Sequence, residues 1–194
     1  MNNTFLETIK IVDGEIFNLE YHQRRYESVL KAHEVDNIQN LEELINPPKW
    51  GLYRCRLVYD AHSVEVTFHE YKKREIITLK LIFENNIEYM HKSTAREDID
   101  ALFEAREEGD DILIIKDLFV TDTSIANIAF QTSSGEWITP KNPLLKGTTR
   151  ARLLDEGKII EAEIKVHELR SFSKVALLNA MIDFDILDRC EFLI

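Results

Sequence analysis

The chain has 194 residues, 44% of them hydrophobic, enough for one large or two small domains with a buried core. Its formal net charge of -11, from 24 basic and 35 acidic residues, argues against a nucleic-acid or anionic-membrane partner, and no apolar run approaches the roughly 20 residues of a membrane span. Two cysteines, Cys55 and Cys190, and six histidines without ligand spacing suggest neither a disulfide framework nor a metal site. Met1-Asn2-Asn3-Thr4 lacks the charge and apolar core of a signal peptide, so a cytoplasmic protein is expected.

Phe5 to Val12 has strand composition, Asp13-Gly14 is a hairpin turn, and Glu15 to Phe17 returns antiparallel. Leu19 to Ala32 reads as a helix, with Asn18 as its cap and Leu19, Tyr26, Val29 and Leu30 toward the core. Pro47-Pro48 ends any short helix around Leu41 to Ile45. Strands are predicted at 51–59, 64–71 and 76–83. Asn85-Asn86 breaks this pattern, which places a boundary between roughly 84 and 91: an α/β domain over 1–86 and a β-rich domain over 87–194.

After that boundary, Thr94 and Glu97 have capping-box spacing, and Ala95, Ile99, Leu102 and Phe103 share one face of a helix running to Glu108. Strands follow at 112–116, 119–121, 126–131 and 137–139. A helix from Thr148 to Glu156 is closed by Gly157. Ile159 to Val166 alternates, 169–172 forms a helical turn, and Val175 to Met181 is the last buried strand.

Several positions could carry chemistry. Lys92 sits at the hinge before a helix, where its amine could react with an aldehyde cofactor; read alone, a lysine there is more often a solvated charge. Gly147-Thr148-Thr149 opens a helix whose first N–H groups and positive dipole end suit a phosphate, although a threonine-capped surface helix gives the same pattern. Asp122 lies between apolar strands, where a carboxylate could keep a pyridine nitrogen protonated, or could belong to a polar turn. Arg25 could add a charge-assisted bond to phosphate, or lie on a helix surface. Arg54 and Arg56 share one strand face, which suits substrate carboxylates as well as it suits solvent.

Taken in order, these segments resemble the class IV (fold-type IV) pyridoxal-phosphate enzymes, the group of branched-chain and D-amino-acid aminotransferases and 4-amino-4-deoxychorismate lyase. The resemblance runs from Phe5-Leu6-Glu7-Thr8 through His22-Gln23-Arg24-Arg25 and His91-Lys92-Ser93-Thr94-Ala95-Arg96. It continues through Thr121-Asp122 with Ala126-Asn127-Ile128, Trp137-Ile138-Thr139-Pro140, and Leu144 to Arg150. His-Lys-Ser-Thr followed by Arg, Trp-x-Thr-Pro and Leu178-Asn179-Ala180 are closer to the lyases than to the transaminases.

The resemblance implies an α+β fold of two domains, a small α/β N-terminal one and a β-rich, barrel-like C-terminal one, in a cytoplasmic homodimer. Pyridoxal 5'-phosphate is the implied cofactor. Lys92 matches the Schiff-base lysine, Arg25 the phosphate-binding arginine, and Gly147, Thr148 and Thr149 the phosphate-binding helix start. Asp122 stands where the family has glutamate beside the ring nitrogen, and Asn127 follows in the same cofactor-binding segment. Thr8 matches a threonine near the lyase site. The chain begins where relatives already have another strand and loop, and Glu97 stands near the place of the transaminase tyrosine.

The implied reaction converts a small anionic amine, 4-amino-4-deoxychorismate, to 4-aminobenzoate and pyruvate on the route to folate, with Arg54 or Arg56 at a substrate carboxylate. Amino transfer to or from D- or branched-chain amino acids, and an inactive cofactor-binding paralogue, are the alternatives.

Overall fold

A computed structural model describes residues 4–36 and 38–194; residues 1–3, part of the segment read above for a targeting signal, and Asn37 lie outside the described residues. Contacts divide the chain into two units, Met1–Lys73 with His91–Ala95, and Arg74–Met90 with Arg96–Ile194. This differs from the boundary expected at 86/87. The segment 78–83 pairs with strands of the second unit, while 91–95 returns to the first.

In the first unit, β1 (Phe5–Val12), β2 (Glu15–Ile16), β3 (Leu52–Tyr59) and β4 (Val64–Glu70) form an antiparallel sheet ordered β2-β1-β3-β4. Asp13 and Gly14, both at positive φ (49° and 86°), make the tight turn that matches strand twist. Alternate residues of β1 and β3 point inward, and α1 (Leu19–Ala32) covers that face with Tyr26, Val29 and Leu30 against Phe5, Ile9, Leu57 and Tyr59. A short α2 (Leu41–Leu44) follows, its first turn capped by the Asn40 side chain. Asn18 does not cap α1 as predicted, because its backbone is left-handed (φ 54°) and its side chain makes no cap bond.

The segment 91–95 lines the start of β1. Leu6 N donates to Lys92 O (2.8 Å), Thr94 N donates to Thr4 O (2.9 Å), and Phe5 bridges Ser93. Thr94 Oγ1 also donates to Thr4 O, so the predicted capping box is not formed. The helix after it, α3, spans only Glu97–Glu104.

In the second unit, β5 (Thr78–Phe83), β6 (Asp111–Lys116), β7 (Phe119–Thr123), β8 (Asn127–Gln131), β9 (Trp137–Pro140), β10 (Ile160–Ala162), β11 (Lys174–Asn179), β12 (Asp183–Ile186) and β13 (Glu191–Leu193) form one sheet. Its path is β10-β9-β8-β7-β6-β5-β13, with β11 and β12 added at β8. Leu79, Leu113, Ile115, Ile128, Phe130 and Leu177 meet in one core. β6 is covered on both faces, as its unbroken apolar run requires: Ile112 and Ile114 pack with Ile99 of α3 in a second cluster. α4 (Thr148–Asp155) is closed by Gly157 at φ 65° in the position predicted for it. A 3-10 helix covers Val166–Ser171.

Candidate functional site

In the second unit, the turn between β7 and β8 sets Asp122 opposite Asn127, and both are buried. Asn127 Nδ2 donates to Asp122 Oδ1 (2.7 Å) and to Leu145 O (2.8 Å). Its Oδ1 accepts from Gly147 N (3.2 Å), and Leu145 N donates to Asp122 Oδ2 (2.9 Å). One amide therefore ties the carboxylate to the segment that opens α4. A Cβ on Gly147 would lie 2.1 Å from Asn127 Oδ1, so glycine is required there by close approach rather than by backbone conformation (φ -68°).

Gly147, at the N-cap of α4, has no side chain to cap it, and Thr148 and Thr149 in the first turn are buried. Arg150, also buried, anchors that turn through Nη2 to Pro140 O (2.8 Å) and Glu161 Oε1 (2.7 Å). Burial pushes the Asp122 carboxyl up, bonds from Leu145 and Asn127 oppose it, and the result is about 6. The cluster unites a buried carboxylate of displaced acidity with a helix start suited to an anion.

The other predicted residues belong to the first unit. Lys92 is half-buried on the strap beside β1. Arg25, one turn after His22 on α1, is largely buried, not a surface arginine, and grips Glu7 of β1 with two bonds, Nε to Oε1 (2.7 Å) and Nη2 to Oε2 (2.6 Å). His22 Nδ1 donates to the same Oε2 (2.6 Å). Burial alone would raise Glu7, but the charge of Arg25 and the bonds from His22 and Arg25 hold it at about 2. Burial is also the main reason His22 is shifted down, with Arg25 and Lys92 adding to it against the pull of Glu7.

Thr8, Arg54 and Arg56 lie on the sheet face away from α1. Thr8 pairs across strands with Arg56 and Lys10 with Arg54, and the next strand adds Thr67 and His69 in the same rows. These rows set Lys10, Arg54 and Arg56 side by side.

The sequence profile of the amino-transferase class IV family matches residues 4–184. The chain belongs to that family. A crystal structure titled "putative 4-amino-4-deoxychorismate lyase", from Haemophilus somnus, is 37% identical and superposes with a TM-score of 0.85 over 93% of this chain and 97% of that one. A Schizosaccharomyces pombe protein named "putative aminodeoxychorismate lyase" is 40% identical over 67 residues, 32% of this chain and 29% of its own. An aminotransferase from Brucella abortus bound to pyridoxal phosphate has a TM-score of 0.75 at 14% identity, over 96% of this chain and 81% of its own.

This class IV chain thus has the strand-rich α+β fold of fold-type IV aminotransferases, in a short version. In the sequence Glu7 is marked by little more than its inward parity between Phe5 and Ile9. Lys10, which shares the sheet face of Thr8, and Arg150, which enters the sequence reading only as the end of the segment Leu144 to Arg150, are likewise unmarked by any local signal.

Proposed function

We propose that this chain is a pyridoxal-phosphate lyase that releases pyruvate from 4-amino-4-deoxychorismate and leaves 4-aminobenzoate. The observation that carries this reading is the 37% identity, along nearly the whole chain, with the Haemophilus somnus protein of that name. A second observation supports it. Like charges on neighbouring strands repel, yet Lys10, Arg54 and Arg56 stand together on one sheet face of a chain whose net charge is -11, which suits a substrate carrying two carboxylates.

The residues present fit the cofactor. A glycine-led helix start without a side-chain cap suits the phosphate, and the buried carboxyl of Asp122 would become fully charged against a cationic ring N–H. When bound, pyridoxal phosphate supplies a ring that accepts the electrons released at the amine-bearing carbon. Lys92 is the residue proposed to hold the cofactor's aldehyde and to move the proton at that carbon. Gly147, Thr148 and Thr149 bind phosphate through first-turn N–H and hydroxyl groups, with Arg25 adding a charged donor. Asp122 holds the proton at the ring nitrogen, Asn127 orients Asp122, and Arg54 and Arg56 orient the substrate carboxylates, with the Thr8 hydroxyl beside Arg56 in the same row. A homodimer in the cytoplasm is proposed as the working form.

The test is to supply the cofactor-loaded protein with 4-amino-4-deoxychorismate and follow pyruvate with lactate dehydrogenase. Pyruvate and 4-aminobenzoate are expected in equal amounts, and Lys92→Ala is expected to abolish both. Amino transfer dependent on 2-oxoglutarate, without pyruvate, would reject the lyase reading in favour of an aminotransferase.

A further inference from the structure

Glu7 is fully buried in β1 among Phe5, Ile9 and Ile11, a place where an apolar residue would pack as well. A buried carboxylate with Arg25 and His22 gathered around it is commonly no more stabilising than apolar packing of the same volume, so stability alone does not account for it. The geometry offers another reason. Glu7 takes Arg25 by the edge formed by Nε and Nη2, and a two-point grip on a planar guanidinium fixes its orientation as well as its position.

His22 holds the carboxylate in turn. Its Nδ1–H occupies Glu7 Oε2, and its buried Nε2 has no hydrogen-bond partner among the described residues, so the Glu7 bond and packing fix the ring. The pair Glu7 and Arg25 is neutral as a unit, and Arg25 acts on an anion through aimed donors more than through net charge.

From this we infer that Glu7 is a positioning residue that aims Arg25 at the cofactor's phosphate, with His22 holding Glu7 in place. The inference rests on the proposed role of Arg25.

The test compares the affinity of the cofactor-free full-length protein for pyridoxal phosphate with its affinity for pyridoxal, which lacks the phosphate, both read by absorbance titration. Glu7→Gln is expected to weaken pyridoxal phosphate by about tenfold or more and pyridoxal by less than about twofold, the loss typical of a supporting-shell residue. Glu7→Asp keeps the charge pair but withdraws it by one methylene, and its ratio of affinities is expected to fall in the same direction. That variant decides the matter if Glu7→Gln does not fold. Arg25→Lys, which keeps the charge but not the fork, serves as the reference. If its ratio falls while the Glu7 variants keep the wild-type ratio, Glu7 is structural and the inference is overturned. If the Arg25→Lys ratio is itself unchanged, Arg25 does not meet the phosphate, and the functional reading of that residue falls first.

Discussion

Two buried carboxylates in this protein depart from ordinary acidity in opposite directions. Glu7 is lowered from 4.5 to about 2, so its contribution to stability is complete above pH 4.5 and is lost as pH falls toward 2. Asp122 is raised from 3.8 to about 6, so its contribution is complete below pH 3.8 and is lost as pH rises through 6. Each is worth about 3 kcal/mol. Denaturant titrations of the cofactor-free protein should therefore show stability declining between pH 3.8 and 6, and Asp122→Asn should remove that decline.

Gly147→Ala is a second case at the same scale. Its backbone suits alanine, so the cost comes from the added methyl against Asn127 Oδ1. A loss of about 1–3 kcal/mol is expected in thermal or denaturant unfolding. Weaker cofactor binding should follow, because Asn127 would have to release Asp122 or Leu145.

At the level of elements, what could be read from the chain depended on how local the cause was. The turn at Asp13-Gly14, the inward stripe of α1 and the close of α4 at Gly157 each follow from neighbouring residues, and each was legible. Thr94 was misread because its hydroxyl goes to Thr4, ninety residues away, and not to its own helix. Glu7 was missed because its partners stand 15 and 18 residues along the chain. β12 and β13 were missed because short, partly exposed strands carry almost no apolar period.

The start of β5 at Thr78, later than the apolar run suggested, has a similar distant cause. Asp110 accepts from Ile77 N, Thr78 N and Thr78 Oγ1 at 2.8–2.9 Å, and so pins the parallel pair β5–β6 at one end. Asp110→Ala should cost about 2 kcal/mol in denaturant unfolding. Amide exchange should quicken first at Thr78 and its neighbours.

For the whole molecule, charge is the property that reaches furthest. An acidic chain repels an anion, and Lys10, Arg54 and Arg56 supply positive charge on one sheet face against that background. If the substrate carries carboxylates, kcat/KM should fall as ionic strength rises past about 0.1 M, where the screening length is about 10 Å. Arg56→Ala should raise KM with a smaller effect on kcat, and should flatten that salt dependence; steady-state assays at two salt concentrations decide it. Among the described residues, no helix is long and apolar enough to cross a membrane.

The strap of residues 91–95 belongs by contact to the first unit while the sequence on both sides of it belongs to the second. A gene fragment ending at Lys73 would encode a sheet deprived of the backbone that Leu6 and Thr4 bond to, and would leave out Lys92 as well. Neither body can be expressed, exchanged between relatives or duplicated as a contiguous piece without splitting the lysine from the strand that seats it. Recombination within this family should therefore be tolerated only when both crossings are inherited together.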